Sequence, residues 1–372
     1  MEHVKDGLAA SLQPYVDGGT FAGAVLAVAD REKILALETV GFADLGAKAP
    51  MRPDTFFWIA SMTKPVAAAA FMVLVDEGRA SVEDRVDKYI PAFADLKVLC
   101  ADGSLEPLCR PTLVRDILSH TSGLRFLNAQ DMQVIDSVPL KTSVEHNLLE
   151  PLLSQPGTKY SYSNEGIDTA GRIIEIVTGQ SFESFVQERF LAPLGMDDTT
   201  FFPDAAQLRR LAKIYRRRED GTGLEEMERI SQMTYPLDGP GRHAAPGGGL
   251  FSSVRDVVRF CQMLLNGGTF EGRTYLTPGS VRQMTVKQTG VEVAENYGFG
   301  CSASDGKTYG HGGALKTGMT IDHEQIRVFL THYAGVLDPD PATAFAEAAR
   351  RLYPGAGAAP AAGIEGTTSI RR

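Results

Sequence analysis

Thr55-Phe56-Phe57-Trp58-Ile59-Ala60-Ser61-Met62-Thr63-Lys64-Pro65 is the stretch where an extended apolar segment runs into a helix. Residues 66–75 are almost wholly apolar and predict that helix, which the glycine at position 78 would end. The proline supports a helix start, because its missing N–H would have no partner in a first turn. Residues three apart share a helix face, so the sequence predicts Ser61 beside Lys64. A serine next to a neutral lysine is a nucleophile with its own base.

The Ser-x-x-Lys spacing is a weak signal by itself. A chain of 372 residues contains so short a pattern about once or twice by chance. A second copy, Ser304-Asp305-Gly306-Lys307, stands between two apolar stretches and carries Asp-Gly, which predicts a hairpin turn exposed to water. We therefore exclude the second copy as a nucleophile. Whether Ser61 and Lys64 are catalytic or only an ordinary helix N-terminus depends on further residues.

The composition is that of a soluble globular protein. The chain has 372 residues, 43% of them hydrophobic, which allows a large core and predicts two structural units. The formal charge of −9 opposes a nucleic-acid-binding surface. The longest apolar run, residues 66–75, falls short of the ~20 residues that cross a bilayer. The charged N-terminus lacks the apolar core of a secretion signal, so the expected location is cytoplasmic.

Neither a metal site nor a cofactor is predicted. The four cysteines, Cys100, Cys109, Cys261 and Cys301, form no Cys-x-x-Cys pair, and reduced thiols are the expected state. Only export from the cell would favour a disulfide between Cys100 and Cys109. The chain also lacks the His-Glu-x-x-His spacing of zinc proteases and the Gly-x-Ser-x-Gly of α/β-hydrolases.

Secondary-structure patterns place strands at both ends of the chain and helices between them. Residues 4–17 predict a helix, and residues 22–29 and 33–40 predict a strand pair. Residues 64–286 are mostly helical in pattern. Further strands are predicted at 297–300, 308–313, 315–321 and 326–333, followed by a helix at 342–353.

The fold class that accommodates this order is α+β. One antiparallel sheet is built from both chain ends and flanked by the terminal helices, and a large, mostly helical lobe is inserted. Residues 1–60 with 290–353 would form the sheet unit, 61–289 the helical lobe and 354–372 a disordered tail. A cleft is expected where the two units meet.

Tyr162-Ser163-Asn164 is a second segment with catalytic potential. It is the only Tyr-x-Asn in the chain, and it precedes a strongly periodic helix at residues 167–178. A loop position leaves the tyrosine hydroxyl free to carry a proton at a neighbouring site. A tyrosine in such a place can equally be a packing residue, so this segment alone leaves both interpretations open.

Ser61-Met62-Thr63-Lys64 followed about 100 residues later by Tyr162-Ser163-Asn164 resembles the serine beta-lactamase and penicillin-binding protein superfamily. The resemblance is closest to the class C-like serine hydrolases and covers roughly residues 5–335. It implies a beta-lactamase/transpeptidase-like fold, with Ser61 as nucleophile and Lys64 and Tyr162 as general base and acid. The supporting segments are Leu118-Ser119-His120-Thr121-Ser122-Gly123-Leu124, Pro156-Gly157, Pro193-Leu194-Gly195-Met196 and Gly247-Gly248-Gly249-Leu250.

The family's third motif is Lys-Thr-Gly on an edge strand, and two segments compete for it: His311-Gly312-Gly313 and Lys316-Thr317-Gly318. The family pattern needs a hairpin and two further strands after this motif. Only the histidine segment leaves room for both, as residues 315–321 and 326–333. We therefore predict that His311 occupies the position of the family's lysine.

The presence of His311 at this position affects which class of substrate is expected. In the family, the lysine at this position helps to bind the carboxylate of a penicillin or of a peptide C-terminus, whereas histidine is largely neutral at pH 7. Members with His-Gly-Gly include carboxylesterases of family VIII. The resemblance therefore implies a small-molecule ester as substrate, with beta-lactam hydrolysis as a side reaction at most.

The resemblance also implies the remaining parts of the site. The backbone N–H groups of Ser61 and Ala314 would form the oxyanion hole. Rival interpretations are a D-amino-acid peptidase or amidase, or a beta-lactamase, with the same Ser-Lys-Tyr machinery, and a binding protein without the chemistry. Neither nucleic acid nor a membrane is an expected partner, and the sequence does not indicate an oligomeric state. Substrate contacts would come from Asn164, His311, Gly312 and Gly313.

Overall fold

The computed structural model of the protein describes residues 7–130, 134–303 and 306–354, and it has the predicted α+β class. Its strands are β1 (Gly23–Ala29), β2 (Ile34–Asp44), β3 (Ala49–Pro50), β4 (Phe57–Trp58), β5 (Lys97–Leu99), β6 (Leu105–Pro107), β7 (Ile214–Arg217), β8 (Leu224–Met227), β9 (Phe251–Ser252), β10 (Thr269–Phe270), β11 (Arg273–Thr274), β12 (Ser302–Ala303), β13 (Thr308–Gly312), β14 (Gly318–Asp322) and β15 (Gln325–Leu330). Its helices are α1 (Leu8–Asp17), α2 (Thr63–Asp76), α3 (Val114–Leu118), α4 (Leu140–Asn147), α5 (Asn164–Thr178), α6 (Phe182–Val186), α7 (Ala205–Leu208), α8 (Val254–Leu265), α9 (Pro278–Thr285) and α10 (Pro341–Leu352).

The main sheet combines strands from both ends of the chain. Its order is β12-β13-β14-β15-β1-β2-β3, and every neighbouring pair is antiparallel. β1 lies inside the sheet, with Val25 opposite Leu330 of β15 and Thr39 of β2. All seven residues of β1 are buried, because both faces of this strand are covered. Its sequence is therefore continuously apolar instead of alternating.

The terminal helices cover one face of the sheet. Leu12 of α1 and Phe345 of α10 share a buried apolar cluster with Leu26 of β1 and Phe329 of β15. Burial of these side chains on folding is the main force that holds the two chain ends together. The prediction that the terminal helices flank the sheet is confirmed.

The opposite face of the sheet packs on the helices of the middle segment. Ala27 of β1 belongs to a larger apolar cluster that includes Phe71 of α2, Ile173 of α5 and Phe260 of α8. Successive β1 residues point to opposite faces, which is why Leu26 and Ala27 enter different clusters. The division into a sheet unit and a helical lobe stays a prediction, and this cluster spans both.

Helix α2 is buried along almost its whole length, from Thr63 to Leu74. From Pro65 to Val75 the helix is apolar on all sides, and its run of four alanines lets neighbouring backbone come close. A Cβ placed on Gly300 would lie 2.6 Å from the Ala68 Cβ and 2.7 Å from the Lys64 carbonyl oxygen. The segment that leads into β12 is thereby pressed against the first turn of α2.

Two predicted strands differ in the structure. Residues 297–300 form a turn, in which the Gly298 N–H donates to the Cys301 carbonyl at 2.8 Å and Gly300 adopts a φ of 74°. The strand predicted over residues 315–321 begins only at Gly318, because Lys316, with a φ of 68°, belongs to a turn. The middle segment also carries the two-stranded ribbons β5–β6, β7–β8 and β10–β11 between its helices.

Some predictions fall outside the described residues. The second Ser-x-x-Lys copy begins at Ser304 and Asp305, which are outside the described ranges. The same holds for the start of the predicted first helix, before residue 7, and for the predicted tail from residue 355 onward.

The cysteines and the helix lengths complete the description. Cys100, Cys109, Cys261 and Cys301 are free thiols in the structure. Within residues 7–130, 134–303 and 306–354, no helix has the length and apolarity to cross a bilayer.

Candidate active site

Ser61 lies in a tight turn that immediately precedes α2. Residues Ala60–Met62 form a 3₁₀ turn, and Ala60 has a φ of 48°, a conformation that costs energy for a residue with a Cβ. The Thr63 hydroxyl donates to the Ala60 carbonyl at 2.6 Å and accepts the Leu250 N–H at 3.0 Å. These bonds hold the turn in its strained shape. Ser61 is therefore two residues ahead of the helix, and Lys64 is in its first turn.

Lys64 makes polar contacts that define the state of its amine. Its Nζ lies 2.5 Å from the Asn164 Oδ1, 2.5 Å from the Gly247 carbonyl oxygen and 3.2 Å from the Ser61 Oγ. An amide oxygen and a carbonyl oxygen can only accept, so they take two N–H groups. A neutral amine then has its lone pair left for the Ser61 hydroxyl. The geometry suits a base that removes the serine proton.

The electrostatic surroundings of Lys64 favour that neutral amine. The side chain is fully buried, and the loss of hydration lowers its pKa to about 7, against the opposing pull of the Asp168 carboxylate. Asp168 Oδ1 in turn accepts the Gly247 N–H at 2.8 Å, which fixes the carbonyl that faces Lys64. Asp168 and Gly247 were not identified as parts of the site from the sequence. Gly247 appeared there only inside a glycine-rich segment typical of the family.

Tyr162 lies over the lysine. Lys64 Nζ is 4.6 Å from the centre of the Tyr162 ring, and the nearby Ser61 hydroxyl opposes the effect of burial on the Tyr162 pKa. Burial raises the pKa of Tyr162 well above its usual value, so the phenol keeps its proton at neutral pH. The next residue, Ser163, caps α5 by accepting the Gly166 N–H at 2.9 Å. This cap sets the position of Tyr162 and of Asn164, the first residue of α5.

His120 is a buried neighbour that sequence reasoning left without a role. Its ring centre is 4.6 Å from those of both Tyr162 and Tyr297, and its Nδ1 accepts the Ser163 N–H at 3.2 Å. Its backbone has a φ of 60°, which the surrounding turn must hold in place. The only sequence signal for His120 was its place in the Leu118 to Leu124 segment.

His311 stands at the end of β13 and contacts two tyrosines. Its Nε2 is 2.9 Å from the Tyr297 hydroxyl and 3.5 Å from the Tyr162 hydroxyl, while its Nδ1 is 2.7 Å from the Gly312 carbonyl oxygen. Because a carbonyl only accepts, Nδ1 carries the proton and Nε2 accepts from Tyr297. The pKa of His311 is lowered to about 3, mainly by the loss of hydration and to a smaller extent by the nearby Lys64. The ring is therefore neutral.

Lys316-Thr317-Gly318, the other candidate for the third motif, lies at the turn that follows β13. Lys316 lies in the turn between β13 and β14, and Thr317 is buried with its hydroxyl 3.3 Å from the Ile59 carbonyl oxygen. The structure thus brings His311 into contact with Tyr162 and places Lys316 beyond the end of β13. The assignment of His311 to the third motif stays a prediction, as does that of Ala314, an exposed residue of the same turn, to the oxyanion hole.

A match to a known family accompanies this geometry. The family model described as Beta-lactamase matches residues 8–354. The chain belongs to the beta-lactamase family. This confirms the resemblance drawn from the Ser-x-x-Lys and Tyr-x-Asn motifs, and it makes the chain a serine hydrolase of that family.

Similar proteins support the same membership. Protein Rv1367c of Mycobacterium tuberculosis is 37% identical over 292 residues, which are 75% of this chain and 71% of that protein. The lovastatin esterase of Penicillium rubens is 30% identical over 305 residues, 77% of this chain and 74% of that enzyme. The structure of simvastatin synthase (LovD) from Aspergillus terreus has a TM-score of 0.77 at 20% identity, over 94% of this chain and 98% of LovD. At 20% identity, the likeness to LovD shows a shared fold.

In this member of the beta-lactamase family, close packing of a glycine joins the end of β13 to the serine turn. A Cβ placed on Gly313 would lie 2.1 Å from the Thr317 Oγ1 and 2.6 Å from the Ile59 carbonyl oxygen. Ile59 is two residues before Ser61, so only a glycine lets the turn after β13 pack against the turn that carries Ser61.

Gly313→Ala is expected to lower the free energy of unfolding by about 2 kcal/mol, because the new methyl group must push backbone apart. Gly312→Ala is the matched control, since its Cβ would come no closer than 3.7 Å to the Thr317 carbonyl oxygen. We expect that variant to stay within about 0.5 kcal/mol of the wild type. Urea unfolding of the two variants measures the difference, and equal stabilities would contradict the packing described.

Proposed function

We propose that this protein is a carboxylesterase-type serine hydrolase that cleaves small-molecule esters through an acyl-enzyme on Ser61. The observation that carries the proposal is the environment of Lys64. Two acceptors take its N–H groups, its pKa is lowered to about 7, and its Nζ lies 3.2 Å from the Ser61 Oγ. This arrangement supports a neutral lysine that acts as a general base at neutral pH.

Acylation begins when the Ser61 Oγ attacks the ester carbonyl carbon and its proton passes to Lys64. The carbonyl oxygen becomes an oxyanion, which the N–H groups of Ser61 and Ala314 stabilise, each donor contributing ~3 to 4 kcal/mol. Collapse of this intermediate breaks the carbon–oxygen bond to the alcohol. Tyr162, which keeps its proton at neutral pH, donates it to the departing alkoxide and is reprotonated from Lys64.

Deacylation repeats the same steps with water. Neutral Lys64, with Tyr162 beside it, removes a proton from a water molecule that attacks the acyl carbonyl carbon. The carbon–oxygen bond to Ser61 breaks, the carboxylic acid leaves, and the proton returns to the Ser61 Oγ. Asn164 holds the Lys64 Nζ in place throughout, with its Oδ1 at 2.5 Å.

The preference for an ester rests on the neutral ring of His311. A penicillin or a peptide C-terminus presents a carboxylate, and a neutral imidazole at the third motif offers it no positive charge. The name of the lovastatin esterase relative adds support. Weak beta-lactam hydrolysis remains compatible with the proposal, because a beta-lactam is also opened by attack of an activated serine.

A substrate panel on one preparation tests the proposal. A short-chain p-nitrophenyl ester, a D-alanyl p-nitroanilide and a chromogenic cephalosporin are compared by kcat/KM. We expect the ester to exceed both others by about 100-fold, because the anilide has the poorer leaving group and the cephalosporin carries a carboxylate that a neutral His311 does not attract. A higher value for the D-alanyl amide would indicate the peptidase alternative, and a preference for the cephalosporin would contradict the inference from His311.

A further inference from the structure

A separate cavity opens beside the catalytic groups. Its volume is about 390 Å³, and its lining includes Tyr160, Tyr162, Glu295, Tyr297 and His311. Nothing in the mechanism above uses Tyr160 or Glu295. The cavity is therefore a place where part of a substrate other than its reacting carbonyl could bind.

The position of this cavity indicates which part of the substrate it holds. Tyr162 lies over Lys64, whose Nζ is 4.6 Å from the centre of the tyrosine ring, and His311 Nε2 is 3.5 Å from the Tyr162 hydroxyl. In the proposed mechanism, that hydroxyl gives its proton to the departing alcohol. A wall formed by Tyr162 and His311 therefore faces the alcohol side of the ester.

The charge of the cavity comes from one side chain. Among the described residues that line it, Glu295 is the one with a carboxylate side chain, and none is a lysine or an arginine. The Glu295 carboxylate adds to burial in raising the pKa of Tyr160 to about 12, so it acts on the tyrosine side of the cavity. The tyrosine rings around it are a favourable surface for an organic cation.

We propose that this cavity binds the alcohol portion of the ester and discriminates by charge, so that alcohols with an ammonium group are preferred and those with a carboxylate are rejected. The inference rests on the proposed esterase function and deepens it. Its physical basis is the Coulomb interaction of the substrate group with Glu295, in a site where His311 supplies no opposing positive charge.

Three acetate esters that differ in the charge of the alcohol test this selectivity. They are acetylcholine, its neutral analogue 3,3-dimethylbutyl acetate, and the anion 3-acetoxypropanoate, with hydrolysis followed in a pH-stat. We expect kcat/KM for the cation to exceed that for the neutral ester by about fivefold, and the neutral ester to exceed the anion by a similar factor. High salt should reduce both ratios, because Glu295 is exposed and its field is screened.

Variants separate the local charge from the charge of the whole protein. Glu295→Gln should make the kcat/KM values for the three esters nearly equal, and Glu295→Lys should reverse their order. Glu292→Gln is the matched control, because Glu292 is exposed on the same loop and is not among the residues that line the cavity. If E292Q lost the preference as fully as E295Q, the net charge of −9 and not Glu295 would be responsible, and the inference would be overturned.

The remaining outcomes separate this inference from the function it rests on. Equal rates for the three wild-type reactions would overturn the charge selectivity and leave the esterase proposal intact. The same holds if a fluorophosphonate labels Ser61 but none of the three esters is hydrolysed. If Ser61 resists the probe and no ester of any kind turns over, the proposed function fails and the inference fails with it.

Discussion

Ser61→Ala is expected to lower kcat/KM for a short-chain p-nitrophenyl ester by about 10⁴-fold or more and to abolish labelling by a fluorophosphonate. The reason is covalent: alanine has no oxygen to form the acyl-enzyme, and a water molecule in its place is neither tethered nor held 3.2 Å from the Lys64 Nζ. Initial rates and the intact mass of the probe-treated protein provide the measurement.

A matched serine shows that the loss is specific. Ser11 donates to the Leu8 carbonyl on α1, at the far face of the sheet, so Ser11→Ala should keep both activity and labelling. Both variants should melt close to the wild type, since the Ser61 hydroxyl is partly exposed and supports no packing. Ester hydrolysis that survives in S61A, or a probe attached to another residue, would refute the assignment of Ser61 as the nucleophile.

Lys64→Met is expected to reduce kcat by about 10³-fold to 10⁴-fold, because it removes the base that we propose takes the serine proton. Lys64→Arg should fail as well, since a guanidinium stays charged and cannot accept a proton. In the wild type, kcat/KM should rise through pH 7 and level off above it, following the conversion of Lys64 to its neutral form at a pKa of about 7. Lys141→Met, a change at an exposed lysine, is the control and should retain activity.

The lowered pKa of Lys64 should also make the free energy of unfolding depend on pH. The folded-state pKa of Lys64, about 7, lies below the ordinary value of 10.5, so between these pH values the unfolded chain binds a proton that the folded chain has released. The free energy of unfolding therefore gains a contribution that rises with pH across that window, on the order of 1 kcal/mol per pH unit, and is constant below it. K64M lacks this contribution. Identical pH slopes for K64M and wild type, or a rate profile that rises only near pH 10, would contradict a neutral lysine base.

The fold was predictable to the extent that local patterns decide it. The apolar run of β1 and the patterns of the terminal helices were sufficient to predict one sheet built from both chain ends. The strand predicted at residues 297–300 was wrong for a reason that is not local. A Cβ on Gly298 would lie 2.0 Å from the Met284 carbonyl oxygen, and Gly300 is pressed against α2. These contacts, made with distant parts of the chain, bend the segment into a turn.

The candidate site, like the fold, was predictable from the sequence only in part. The motifs pointed to Ser61, Lys64 and Tyr162, and the structure brings these three together. It adds Gly247 and Asp168, which stand 183 and 104 residues from Lys64 (247 − 64 and 168 − 64) and form no recognisable pattern with it. No local pattern in the sequence specifies their approach to Lys64, because it depends on how distant segments of the chain pack.

The sequence by itself determined which functional groups this protein carries and which of them lie next to one another along a helix or strand. A serine three residues before a lysine follows from reading the chain, and so does the prediction of a histidine where the family has a lysine. Only the tertiary structure decided the protonation states: the lowered pKa of Lys64 and the neutral ring of His311. The physical reason is that desolvation and Coulomb interactions depend on distances in space, and those distances are set by segments brought together from the whole length of the chain.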